Sequence, residues 1–168
     1  GNRRFVAEVR GRAAAVSRAR REELAAGQEP FAIILGCSDS RVPAEIVFDQ
    51  GLGELFVIRV AGNIVAPSQI ESVEFAAARF ETRLVVVLGH TSCGAVNATV
   101  EALQQGNTLP GHIADLVRAM KPGIEPVLKQ PGADLNQRAV IANVRSNVRH
   151  LTEAQPILAE MVATKKLK

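Results

Sequence analysis

At 168 residues, with 47% apolar and 22% charged side chains, the chain has the size and balance of one globular domain able to bury a core, which excludes wholesale disorder. No apolar run approaches the roughly 18 to 20 residues that a membrane span requires. A net charge of +3 and two cysteines are too little for a strongly basic nucleic-acid binder and too few for a disulfide scaffold.

The positive charge is concentrated in the first segment, in Arg3, Arg4, Arg10, Arg12, Arg18, Arg20 and Arg21. Glu8, Glu22 and Glu23 are interspersed, and the chain has no Trp or Tyr to interleave with the arginines. The stripe therefore reads as the solvated face of a helix, and no nucleic-acid partner is expected. Phe5, Val9, Ala13 and Val16 recur at helical spacing, which predicts an N-terminal helical arm over residues 1–26, broken by Gly27. A cytoplasmic location is expected, with the periplasm as the alternative.

The runs FAIIL (31–35), LFVIRV (55–60) and LVVVL (84–88) are short and nearly continuously apolar, which predicts strands covered on both faces, as in a parallel sheet. Ser68 and Glu71 form a capping-box signature for a helix whose apolar stripe is Ile70, Val73, Ala77 and Phe80. A helix is predicted over 95–105, stopped by Gly106. Ile113, Leu116, Val117 and Met120 predict a short helix ending before Pro122, and the Pro- and Gly-rich stretch 121–134 predicts a surface connection. Ile141, Val144, Val148 and Leu151 mark a long helix, and 156–167 the last one. Strands alternating with helices imply a single α/β domain over 1–168, with a mostly parallel central sheet flanked by helices.

Two strand ends carry reactive groups. GCSDSR (36–41) follows the first apolar run and sets a thiol, a carboxylate and a guanidinium at alternate positions, Cys37, Asp39 and Arg41. GHTSCG (89–94) follows the third and carries His90 and Cys93. In a parallel sheet the carboxyl ends of the strands share one edge, where open α/β folds place their ligands, so the two motifs converge. Two thiols and an imidazole suit Zn²⁺, and three protein ligands with one exchangeable position is the catalytic pattern. Cys93 also begins a predicted helix, whose first amides favour a thiolate. Unpaired, Asp39 would act as a fourth ligand and close the site. Held bidentately by Arg41, it leaves that position to water, so the pair can act as a gate. The alternative for these two residues is a structural ion pair at the start of the helix containing Pro43.

The segments CSDSRVPAE and GHTSCGAV, joined by GELFVIRVAGNIV and SVEFA, resemble the β-class carbonic anhydrases, and the resemblance covers nearly the whole chain. It implies zinc held by Cys37, His90 and Cys93, with Asp39 and Arg41 as the gating dyad. The implied reaction is reversible hydration of carbon dioxide to bicarbonate and a proton by a zinc-bound hydroxide. By the same resemblance Gln28, Phe56, Val60, Phe75 and Gly94 match positions lining the family's small substrate pocket, partly across a subunit boundary. A homodimer or a dimer of dimers is implied, with the arginine-rich first helix lying over its neighbour. Phe75 stands where some members carry Tyr, and Ile34 where a bicarbonate-inhibited subgroup carries Trp. The strand that follows the last helix in family members is missing after TKKLK. Two other activities fit the same residues: hydrolysis of a carbon dioxide analogue such as CS₂, and zinc or redox sensing in which Cys37 and Cys93 release metal on oxidation. His112 and His150 lie in neither motif, and neither is assigned as a proton shuttle.

Overall fold

Continuously apolar strands need a covered position on both faces, and β1 (Ala32–Gly36) has one, buried along its whole length. In the computed structural model, which describes residues 17–168, β1 lies between β2 (Leu55–Arg59) and β3 (Val85–Leu88) in an all-parallel sheet of order β2-β1-β3. The register sets Ile33 beside Phe56 and Val85, and Leu35 beside Ile58 and Val87. Ile33 and Leu35 point into a core with Val73, Ala76, Ala77, Leu151 and Leu158, while Ala32 and Ile34 pack on the other face with Ala44 and Leu55. The first strand begins one residue later than FAIIL suggests, since Phe31 is 56% exposed.

The helices are α1 (Arg18–Leu24), α2 (Ala44–Phe48), α3 (Pro67–Arg79), α4 (Gly94–Gln105), α5 (Ile113–Leu128), α6 (Leu135–Thr152) and α7 (Ile157–Ala163), with a 3₁₀ turn at Ala61–Asn63. α1 is the described part of the predicted arm, and its start is capped by the Ser17 hydroxyl, which accepts from the Arg20 amide at 3.1 Å. The arm residues before Ser17 lie outside the described residues. Among the described residues no helix is long and apolar enough to cross a membrane.

Three sequence expectations are corrected. α3 starts at Pro67, one residue before Ser68, and its cap is the Ala66 amide donating to Gln69 Oε1 at 3.2 Å. Proline suits the first helical position because its missing N–H would have no helical partner there.

The segment 121–128 is helical, not a connection: α5 continues through Pro122 and Pro126 to Leu128. A proline inside a helix costs about 3 kcal/mol. Against that, this turn fully buries Met120 and Ile124, each contributing about 1.5–3 kcal/mol, and seats Gly123 directly against Ser146 and Ala142 of α6.

The buried face of α6 is Ala139, Val140, Asn143, Asn147 and Leu151, whereas Ile141 and Val148 are each 42% exposed. Of the four residues read as its apolar stripe, only Leu151 is buried, because two asparagines take interior positions. At the chain's last residue, the Lys168 amide donates to Arg83 O at 2.9 Å and its carbonyl accepts from Val85 N at 2.8 Å, pairing this residue with the outer edge of β3.

Candidate metal centre

β1 and β3 end side by side, which brings the two motifs to one edge of the sheet. Cys37 follows the last residue of β1, His90 comes two residues after β3, and Cys93 is the N-cap of α4. Gly89 permits the close approach of α6 behind His90, because a Cβ there would lie 2.5 Å from Val144 Cγ2 and 3.2 Å from Val140 Cγ1.

The ligating atoms of Cys37, His90 and Cys93 all lie within 4.8 Å of one another. The sulfurs of Cys37 and Cys93 are 3.9 Å apart. Two Zn–S bonds of about 2.3 Å at a tetrahedral angle put sulfurs about 3.8 Å apart, so the donor set fits zinc in chemistry and in spacing. His90 Nδ1–H donates to Thr91 O at 2.9 Å, a tautomer assigned from that bond, and this leaves the Nε2 lone pair unshared. Nε2 is buried and has no hydrogen-bond partner among the described residues. A buried acceptor normally finds one, and a cation beside the two sulfurs would supply it.

The two thiols are coupled. The contact with Cys93, against the opposing effect of burial, holds the Cys37 thiol below its ordinary range, assisted by the amides of Asp39 and Gly62. The same contact and burial push Cys93 up. A metal ion binding both sulfurs would displace the protons they hold.

Arg41 grips Asp39 on both oxygens: Nε donates to Oδ1 at 2.8 Å and Nη2 to Oδ2 at 2.6 Å, with the Arg41 amide adding a bond to Oδ1 at 3.0 Å. These bonds hold the Asp39 carboxyl well below the usual carboxylate range. Arg41 Nη2 also donates to Ser92 O at 3.1 Å, tying the Cys37 loop to the Cys93 loop. Asp39 Oδ2 lies 3.9 Å from His90 Nε2, so the carboxylate borders the ligand group.

Of the other residues singled out in the sequence, Val60 packs against the core cluster that contains Cys37 and Cys93, and Gly94 opens α4 beside Cys93 with nothing among the described residues within 4 Å of the place a Cβ would occupy. Phe56 sits three residues back from the metal edge, opposite Ile33. It forms a three-ring cluster with Phe75 and Phe80, at centroid distances of 5.8–6.3 Å, and Phe75 is 55% exposed. Gln28 is exposed and lines a cleft with Arg20, Leu24 and Gly53. Within one chain, then, Val60 and Gly94 adjoin the thiols, while Gln28, Phe56 and Phe75 lie elsewhere. His112 and His150 are both exposed.

Two contributors escaped the sequence reading. Arg59, at the end of β2, donates from Nε to Cys37 O at 2.9 Å and from Nη2 to Asp39 O at 2.5 Å, clamping the backbone on both sides of Ser38. Its signal was available, since a charge ends an otherwise apolar strand at the same sheet edge. The Gly62 amide donates to Cys37 Sγ at 3.4 Å, and no side-chain pattern announces a backbone donor.

Residues 32–168 match the carbonic anhydrase family. The chain is 48% identical over 126 residues to carbonic anhydrase 2 of Mycobacterium tuberculosis, a match covering 74% of this chain and 59% of that protein. It therefore spans about three fifths of that relative's length. Its fold is similar to that of the β-carbonic anhydrase CcaA, with a TM-score of 0.79 and 29% identity over 89% of this chain and 71% of the other. It is also similar to a tetrameric β-carbonic anhydrase of Sordaria macrospora, with a TM-score of 0.73 and 25% identity over 88% and 76% of the two chains. A parallel sheet that ends in a Cys, His, Cys group, together with a match across most of the sequence, places the chain in the β-carbonic anhydrase family.

Proposed function

We propose that the chain catalyses the reversible hydration of carbon dioxide to bicarbonate and a proton, with zinc held by Cys37, His90 and Cys93. The observation that carries this reading is the trio itself: two buried sulfurs 3.9 Å apart and a buried, unpartnered imidazole nitrogen, beside a carboxylate that an arginine holds on both oxygens. Zinc held there by Cys37, His90 and Cys93 would supply Lewis-acid chemistry, acidifying a water to a pKa of about 7 so that a nucleophile is available at neutral pH.

The protein's own residues set the rest. Arg41 occupies Asp39 on both oxygens, which favours a free fourth position over a closed site. Asp39 stays ionised and has lone pairs left over, so it can accept a hydrogen bond and orient a hydroxyl donor next to His90. Val60 supplies apolar surface beside the site. Gln28, Phe56 and Phe75 complete the pocket from a second copy of the chain: apolar rings suit uncharged carbon dioxide, and the Gln28 amide can donate to an oxygen of developing bicarbonate. A homodimer or dimer of dimers is therefore part of the proposal, supported by exposed Phe31, Ile46, Leu52 and Phe75 and by the tetrameric relative. A metal-releasing sensor has no need of a carboxylate kept off its ligand group, and the Asp39–Arg41 arrangement disfavours it.

The test is stopped-flow carbon dioxide hydration against pH on wild type and Cys93→Ser, with zinc quantified in both. Activity that rises with pH and disappears together with zinc in Cys93→Ser is expected. One zinc per chain with no hydration at any pH would refute the proposal, and a higher kcat/KM on CS₂ than on carbon dioxide would reassign the substrate.

A further inference from the structure

α6 buries two amides where apolar side chains would pack more cheaply. Asn143 is 1% and Asn147 5% exposed, one helical turn apart, and their bonds run to the turn 62–65 or within α6. Asn143 Nδ2 donates to Gly62 O at 2.8 Å, and Asn147 Oδ1 accepts from the Val65 amide at 3.1 Å. Asn147 Nδ2 donates in turn to Asn143 O at 3.0 Å and to Asn143 Oδ1 at 3.2 Å, which fixes the Asn143 side chain. Buried amides are unfavourable unless satisfied, and a satisfied network specifies one arrangement.

What this network holds is the residue that reaches the first metal ligand. Gly62 has φ 68° and ψ 16°, in the left-handed region, and a Cβ on it would meet Met120 Sδ at 2.7 Å and Ala95 Cβ at 3.2 Å. The turn is thus seated against α4 and α5 on one side and bonded to α6 on the other. From that position Gly62 N–H points at Cys37 Sγ, 3.4 Å away.

We infer that Asn143, braced by Asn147, is a positioning residue of the metal centre: it holds the Gly62 carbonyl and so keeps the Gly62 N–H on the Cys37 sulfur. The inference rests on the zinc-binding reading above. An N–H donor on a ligating thiolate fixes its direction and withdraws charge from it, and loss of such an outer partner weakens metal affinity about 10- to 100-fold.

Chelator competition on wild type, Asn143→Leu and Leu151→Ala measures zinc affinity, with melting of the zinc-free proteins and absorption spectra of their cobalt-substituted forms alongside. Leu151 is buried on the same helix but in the core cluster away from the thiols, so it controls for lost packing. Asn143→Leu is expected to weaken zinc binding about 10- to 100-fold and to shift the thiolate-to-cobalt absorption, while Leu151→Ala lowers the melting temperature and moves neither. Wild-type affinity and spectrum in Asn143→Leu, or an equal loss of affinity in Leu151→Ala, overturns the inference. If Asn143→Leu does not fold, the cadmium-113 form of the wild type decides: scalar coupling between the Gly62 amide proton and cadmium supports the relay, and its absence overturns it. A wild type with no zinc affinity overturns the metal-centre reading and this inference together, whereas tight binding indifferent to position 143 overturns this inference alone.

Discussion

Asp39 borders the ligand group, yet it has no acid–base part to play near neutral pH, because Arg41 occupies both of its oxygens. Its folded pKa is depressed, first by the Arg41 side chain and then by the Arg41 amide. The stabilisation from such a group is present above the unfolded value of about 3.9 and is lost as pH falls through the lower folded value. Asp39 should therefore contribute no inflection to the activity profile between pH 5 and 9. Arg41→Gln releases the carboxylate, and kcat/KM should fall about 10- to 100-fold, the usual scale for losing a partner around a metal site. The acid limb of the stability profile should move up toward the ordinary carboxylate range. A pH–rate profile and acid unfolding of the two proteins check this, and an unchanged rate in Arg41→Gln would remove Arg41 from the machinery.

At the scale of elements, the contact between α5 and α6 decides how the metal edge is backed. Gly123 meets Ser146 so closely that a Cβ would lie 2.6 Å from Ser146 Cβ and 3.3 Å from Ala142 O, a backbone atom that cannot swing aside. Gly123→Val should cost about 1–3 kcal/mol, the range for overpacking a filled interior, and Ser146→Gly in the same chain should recover part of it. Denaturant midpoints measure both, and a neutral Gly123→Val would mean that the helices part easily. The two prolines in α5 and the rotated face of α6 belong to the same contact. Proline is a helix breaker by its own chemistry and asparagine an outward-facing residue by its own polarity. Here both are overridden, by burial of Met120 and Ile124 in one case and by the carbonyl and amide of the 62–65 turn in the other.

For the molecule as a whole, two expectations concern what binds it. Zinc at 100 times its Kd should add about 2.7 kcal/mol to stability, since it binds a site that exists only when β1 and β3 are paired. Melting with and without chelator reads this, and equal melting temperatures would mean that the Cys, His, Cys group does not hold the metal. Phe75, more than half exposed in a three-ring cluster, should lie in a subunit contact. Phe75→Asp should shift the sedimenting species toward monomer and lower kcat/KM while leaving the zinc content unchanged, and an unshifted oligomer would exclude this surface from the contact. The candidate site residues were legible from the chain alone: Cys37, Asp39, His90 and Cys93 each follow an apolar run, and a parallel sheet leaves them no choice but a common edge. So were the strands as short apolar runs, although β1 alone of the three is buried along its whole length, while β2 and β3 are only partly covered. Only the tertiary structure decided which face of α6 is inward, that α5 passes through its prolines, and which partners the Arg59 side chain, the Gly62 amide and Asn143 find. The reason is physical. A strand's period and a ligand's chemistry are properties of neighbours along the chain, whereas a backbone donor, or a polar side chain's partner, exists only once distant segments have met.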